Sequence, residues 1–103
     1  MNKYRNTPTN GYASKREAKR AADLKLLEKA GQISDLQEQV DFVLAPAVTL
    51  DGRQKPKIKY RADFVYIQDG KKVIEDCKGY RTPVYRLKRH LMLSVLGLEV
   101  RET

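Results

Sequence analysis

The stretch YRADFVYIQDGKKVIEDCKG, residues 60–79, decides how the chain is read. From Ile58 to Ile67, apolar and aromatic residues alternate with Lys59, Arg61 and Asp63. Asp69-Gly70 is a two-residue hairpin signal, and Lys72 to Lys78 reads as the return strand. With a two-residue loop, Gln68 faces Lys71, and each step back along one strand is matched by a step forward along the other. Asp63 is then opposite Asp76, Arg61 opposite Lys78 and Val65 opposite Ile74, with all six side chains on one face. Glu75 points to the other face beside Phe64, and Cys77 points away from Lys78 beside Ala62. A loop longer by one residue would set Asp63 opposite Cys77.

Directly opposed Cβ atoms lie about 4.5–5.5 Å apart. Two carboxylates at that spacing repel by roughly 3 kcal/mol at an effective dielectric near 20, and by under ~1 kcal/mol in water. A divalent cation removes the penalty. Mg2+ takes hard oxygen ligands, typically one or two carboxylates, with water and phosphate oxygens in the remaining positions. Lys78 projects from the same face two residues past Asp76, within reach of an attacking water or a phosphate. These are the parts of metal-assisted phosphodiester hydrolysis. The same residues also fit a surface ion-pair lattice, because the diagonals Asp63–Lys78 and Arg61–Asp76 are oppositely charged.

The chain has 103 residues, 41% apolar and 33% charged, which is the make-up of one soluble globular domain. Twenty-one Lys and Arg against thirteen Asp and Glu leave a net charge of +8, favouring a polyanionic partner. No apolar run reaches the roughly 18–20 residues of a bilayer span, and no signal-like segment opens the chain. A cytoplasmic protein facing nucleic acid, with no membrane partner, is expected. The lone Cys77 suits a reducing compartment and excludes a zinc finger.

Residues 1–12 read as a flexible basic arm and residues 13–103 as a single domain. A helix is expected from Lys15 to Ala30, between an N-cap at Ser14 and Gly31, with Ala18, Ala21, Ala22 and Leu26 on its apolar side and Leu24 and Leu27 as further candidates. Val40, Phe42 and Leu44 suit a strand. The prolines and the Asp-Gly in APAVTLDGRQKPK suggest a turn-rich connection. A second helix follows Gly79, with Pro83 in its first turn, Gly97 past its end and Val84, Leu87, Leu91 and Val95 on one side. LEVRE closes the chain as a short strand. The fold class is α/β: a small mixed sheet with a central β-hairpin flanked by helices.

Asp63 in YRADF, followed by EDCKG with Asp76 and Lys78, resembles the core of the PD-(D/E)xK nuclease superfamily. The run from GYASKREAKRAADLKLLEKAGQISDLQEQVDFVL through KYRADFVY, EDCKG and YRLKRHLM is similar to a family of small phage endonucleases related to Holliday-junction resolvases. Ala62 stands where the superfamily name has Pro, and Asp76 where Glu is common. The resemblance implies a restriction-endonuclease-like core. It also implies cleavage of branched DNA, Mg2+ (or Mn2+) as cofactor, a homodimer and residence in the host cytoplasm. Asp63 and Asp76 would bind the metal, Glu17 would complete the metal site, and Lys78 would assist catalysis.

Glu17 has a structural explanation too, since Ser14-Lys15-Arg16-Glu17 is a capping box. Basic residues are spread over several segments. Lys57, Lys59, Arg81, Arg86 and Arg89 are the leading candidates for phosphate contacts, reading DNA by backbone and shape, since neither helix carries an evident base-reading set. His90, isolated on its helix, is structural or solvated, with a general-base role the lesser reading, and Gln39 is a residue that the fold could bring near the site. Two other classes remain: a non-catalytic DNA-binding or scaffold phage protein that keeps the nuclease fold, and an RNA-binding or inhibitory phage protein.

Overall fold

The computed structural model of the chain describes residues 11–78 and 80–103. Its elements run α1 (Lys15–Lys29), β1 (Ser34–Ala45), β2 (Val48–Leu50), β3 (Arg53–Lys55), β4 (Ile58–Gln68), β5 (Lys71–Asp76), α2 (Pro83–Leu96) and β6 (Val100–Glu102). One sheet has the order β1-β4-β5-β6, antiparallel except for the parallel pair β5–β6; β2 and β3 form a separate two-stranded sheet. The class is mixed α/β, as expected. Among the described residues no helix is long and apolar enough to cross a membrane. Most of the expected basic arm, residues 1–10, lies outside the described residues, whereas Tyr12 is half-buried against the core.

The hairpin register is the one the turn dictates. Asp69 and Gly70 both take left-handed φ, +53° and +75°, and pairing runs from Gln68 with Lys71 to Phe64 with Glu75. The ladder ends there, so β5 stops at Asp76, two residues earlier than expected.

Each helix covers one face of the sheet. Ala21 and Leu24 of α1 pack with Ile33, Phe64, Tyr66 and Val73, while Tyr85 and Met92 of α2 pack with Leu44, Tyr60, Ala62, Val65, Ile74 and Val100. Their apolar faces differ from those the sequence suggests. On α1 Leu26 and Ala22 are exposed, and the buried row is Glu17, Ala21 and Leu24. On α2 Val84, Leu87 and Val95 are exposed and Leu91 is half-buried, because the helix turns Tyr85 and Met92 to the sheet.

Strand alternation would put Tyr60, Ala62, Phe64 and Tyr66 on one face of β4. Instead the first two pack with α2 and the last two with α1, so the pleat reverses at Asp63. On β1 the matching reversal falls between Leu36, packed on the α1 side, and Val40, packed on the α2 side. Gln39 lies between them with a left-handed φ of +55°, uncommon for a residue with a side chain. Because both strands reverse together, Glu38 still pairs with Phe64 and Val40 with Ala62.

Beneath α1 the fully buried Glu75 accepts hydrogen bonds from Arg20 at 2.8 and 2.6 Å and from the Tyr66 hydroxyl. This two-pronged contact ties α1 to the hairpin. Arg20→Ala would leave Glu75 buried with Tyr66 as its remaining partner. The variant should lose about 3 kcal/mol of unfolding free energy, read as a lower urea midpoint at unchanged slope. Arg20→Lys keeps the charge but not the fork, and should recover only part of that loss.

Candidate functional site

Asp63 stands where the pleat reverses, between the α1 side and the α2 side of the sheet. It is half-buried, and its Oδ2 accepts the backbone N–H of Cys77 at 2.8 Å. Asp76, almost fully buried, is the last residue of β5. Its Oδ2 accepts from the Tyr60 hydroxyl and its Oδ1 lies 3.1 Å from the Lys78 ammonium. Lys78 in turn sits over the Tyr85 ring, 4.3 Å from its centroid, so its charge is steered by a carboxylate and an aromatic face.

Glu17 begins the buried row of α1. Ser14 caps the helix by accepting Glu17 N–H at 3.1 Å, but the Glu17 side chain does not return the bond: its Oε2 accepts from Gln39 Nε2 at 2.9 Å. One half of the capping box therefore holds, and the other half is turned to the site. Tyr12, Glu17, Glu38, Gln39 and Asp63 line a cavity of about 500 Å3, and Asp76 is not part of its wall.

Burial pushes the Asp63 carboxyl up to about 7, helped by the negative charges of Asp76 and Glu17 and opposed by the Cys77 N–H. Glu17 is raised by the same causes, burial first and then Asp76 and Glu38. Burial, followed by the Asp76 carboxylate, raises the Tyr60 phenol, which stays a protonated donor. Among the described residues, Glu17, Asp63 and Asp76 thus share one region with the Lys78 ammonium, and Glu38 stands in the wall of the same cavity. Among the described residues no three His, Cys, Asp or Glu side chains form a ready-made ligand group. The pair Asp63 and Asp76 nevertheless fits a hard divalent cation, with two carboxylates, surplus negative charge and a mutual repulsion that a cation would relieve. Glu17 fits as a neighbour acting on that pair through its charge.

Sequence reasoning brought Asp63, Asp76, Lys78 and Glu17 together, and it set Glu75 and Cys77 away from them. It placed Arg61 wrongly. The pleat reversal turns Arg61 outward onto Asp41, at 2.8 Å, and brings Tyr60 to Asp76 in its stead. Tyr60 is the residue it missed; Gln39, named only as a neighbour of the site, holds Glu17 from a left-handed conformation that no local signal marks. Cys77 packs on the α1 side rather than beside Ala62, and burial raises its thiol.

The candidate phosphate contacts divide. Arg81, Arg86, Arg89 and His90 line a cavity of about 680 Å3 between α2 and β6. Arg81 is bonded to Glu102 at 2.9 Å and Arg89 to the Val100 carbonyl, while Lys59 pairs with Asp41 at 3.3 Å. Lys57 is exposed.

In metal-free protein, Asp63 keeps its proton in the folded state over a range where the unfolded chain has lost it. Between its ordinary 3.8 and about 7 the folded state binds the extra proton, so stability falls as pH rises through that window and levels off above it. Asp63→Asn retains an oxygen for Cys77 N–H and should flatten the slope. In the presence of a chelator it should melt above the parent at pH 8 and close to it at pH 4.

Comparison with curated proteins and with solved structures returned no match. A family match runs over residues 2–98, nearly the whole chain. On that match the chain belongs to the family described as Protein of unknown function (DUF1064).

Proposed function

We propose that this protein is a divalent-metal-dependent endonuclease that hydrolyses DNA phosphodiester bonds. The observation that carries the reading is the pair of half-buried Asp63 and buried Asp76, with the Lys78 ammonium 3.1 Å from Asp76 and Glu17 close enough to raise Asp63. An ion pair serving only stability would not need a third carboxylate beside it.

Asp63 and Asp76 would hold Mg2+ or Mn2+, which supplies polarisation of the scissile phosphoryl group. The chain's own groups do the rest. Tyr60 fixes one oxygen of Asp76, leaving the other directed at Lys78. Lys78 orients the attacking water or steadies negative charge developing at phosphorus, in a site where Tyr85 limits its freedom. Gln39 holds Glu17, whose charge adds to the cation affinity of the pair.

The sequence resemblance extends the reading to a restriction-endonuclease-like core, branched DNA of the Holliday-junction type and a cytoplasmic setting. It also points to a homodimer, since two symmetric cuts need two centres. Val84, Leu87 and Val95, each more than half exposed on α2, offer an aliphatic surface for that pairing. The runner-up is a DNA-binding protein that does not cut. What favours it is that the Asp76 oxygens already have partners in Tyr60 and Lys78.

Incubation with Mg2+ and a four-way junction separates the two readings. The parent should cut the junction, and Asp76→Asn should cut at least about a hundredfold more slowly while binding it as well or better. Shifted but uncut DNA in both samples would establish the binder. Mg2+ should also raise the melting temperature of the parent and leave that of Asp76→Asn unmoved.

A further inference from the structure

Residues 46–59 are exposed without exception, yet most of them are ordered. Val48 pairs with Lys55, Thr49 with Gln54 and Leu50 with Arg53, around a turn in which Asp51 and Gly52 take φ of +53° and +73°. Among the described residues, β2 and β3 pack on each other and on no other element to a comparable extent. An isolated two-stranded hairpin is marginal in water, so this ribbon adds little to the stability of the domain beneath it.

Its side chains are sorted. Cross-strand pairing and a period of two put Val48, Leu50, Arg53 and Lys55 on one face. Thr49 and Gln54 occupy the other, bonded to each other at 3.3 Å. Arg53, Lys55 and the following Lys57 make no ion pair among the described residues, whereas Lys59 and Arg61 at the base are both held by Asp41. Asp51, at the turn, is the sole acid from 46 to 59. The face is thus cationic and aliphatic, and it stands clear of the body.

The ribbon also has a defined relation to the acidic centre. Beyond Phe64 the sheet loses β5, and Ile58 to Ala62 pair with β1 alone, as a two-stranded arm that runs from Asp63 to the ribbon. At about 3.3 Å per residue, Ile58 lies ~17 Å along the strand from Asp63. One turn of duplex DNA is about 34 Å.

We propose that the β2–β3 ribbon docks on duplex DNA flanking the phosphate held at Asp63 and Asp76. Arg53 and Lys55 contact backbone phosphates, while Val48 and Leu50 lie against sugar or base edges of the groove. A two-stranded ribbon is of a size the major groove admits, and phosphate contacts from it would set the position of the duplex. The proposal rests on the reading of the protein as a DNA-binding nuclease, but it concerns binding rather than cutting.

The test is DNA binding in chelator, so that cutting plays no part in it. Fluorescence anisotropy would follow junctions with arms of twenty base pairs and junctions with arms of five, too short to reach the ribbon. Arg53→Gln with Lys55→Gln should weaken long-armed binding by tenfold to a hundredfold and lower the salt slope of log K by about 2, leaving short-armed binding unchanged. Leu50→Ser with Val48→Ser should weaken long-armed binding without changing the slope. Unchanged long-armed affinity in the charge variant would overturn the proposal, as would equal weakening at both lengths. A dimeric parent whose charge variant sediments as a monomer would also overturn it, and would assign the ribbon to a second copy of the chain. Failure of the parent to cut DNA would sink the nuclease reading while leaving this binding result to stand or fall by itself.

Discussion

A two-residue turn governs which carboxylates meet. With Asp69 and Gly70 both in left-handed conformation, Phe64 is locked against Glu75, and Asp63 and Asp76 follow where that ladder ends, near enough for Asp76 to raise the Asp63 carboxyl. A slip of one residue would exchange the faces of Glu75 and Asp76. These adjacent acids do opposite work. Glu75 faces α1 and anchors it through Arg20, while Asp76 faces α2 and is held by Tyr60 and Lys78. Arg20 and Glu17 are three apart on the same helix, so the anchor that holds α1 down also carries Glu17 to the edge of the acidic centre.

Signals confined to neighbouring residues were legible in the sequence. The hairpin register follows from Asp69-Gly70, the start of α1 from Ser14, and the end of α2 from Gly97 at φ +70°. What could not be read depends on two strands acting together. The reversal at Asp63 is possible only because β1 reverses opposite it at Gln39, and neither strand alone announces it. That is why alternation picked Arg61, where the structure presents Tyr60. The β2–β3 ribbon is a different kind of miss. Its Asp51-Gly52 is the same dipeptide as Asp69-Gly70, but the flanking Pro46 and Pro56 outweighed it. On α2 the spacing of Val84, Leu87, Leu91 and Val95 gave no hint that Tyr85 and Met92 would be the buried pair.

The net charge of +8 overstates how many cations stand free. Arg20 is held by Glu75, Lys59 and Arg61 by Asp41, and Arg81 and Arg89 by Glu102. Arg61 and then Lys59 keep the Asp41 carboxyl low, at about 2, so that pairing persists at any moderate pH. Basic segments that look equivalent in the sequence therefore differ in what they can offer a polyanion. Arg20 on α1 and the cations at the base of β4 are engaged within the fold, whereas Arg53, Lys55 and Lys57 form no such pairs among the described residues.

The centre gathers the features that a fold shaped for stability alone would shed. Gln39 holds a backbone conformation suited to glycine, Asp63 resists ionisation near neutral pH, and Glu17 and Asp76 are buried with the same sign of charge. All of them meet at the point where the pleat of β1 and β4 reverses, and Gln39 is itself the hydrogen-bond donor to Glu17. The strained residue is thus the one that aims a carboxylate. A divalent cation would change the sign of the balance, turning three repelling groups into ligands and neighbours of one charge, with binding energy offsetting the cost of their assembly. The same gathering of like charge that costs the fold stability would favour a small doubly charged ion at this centre.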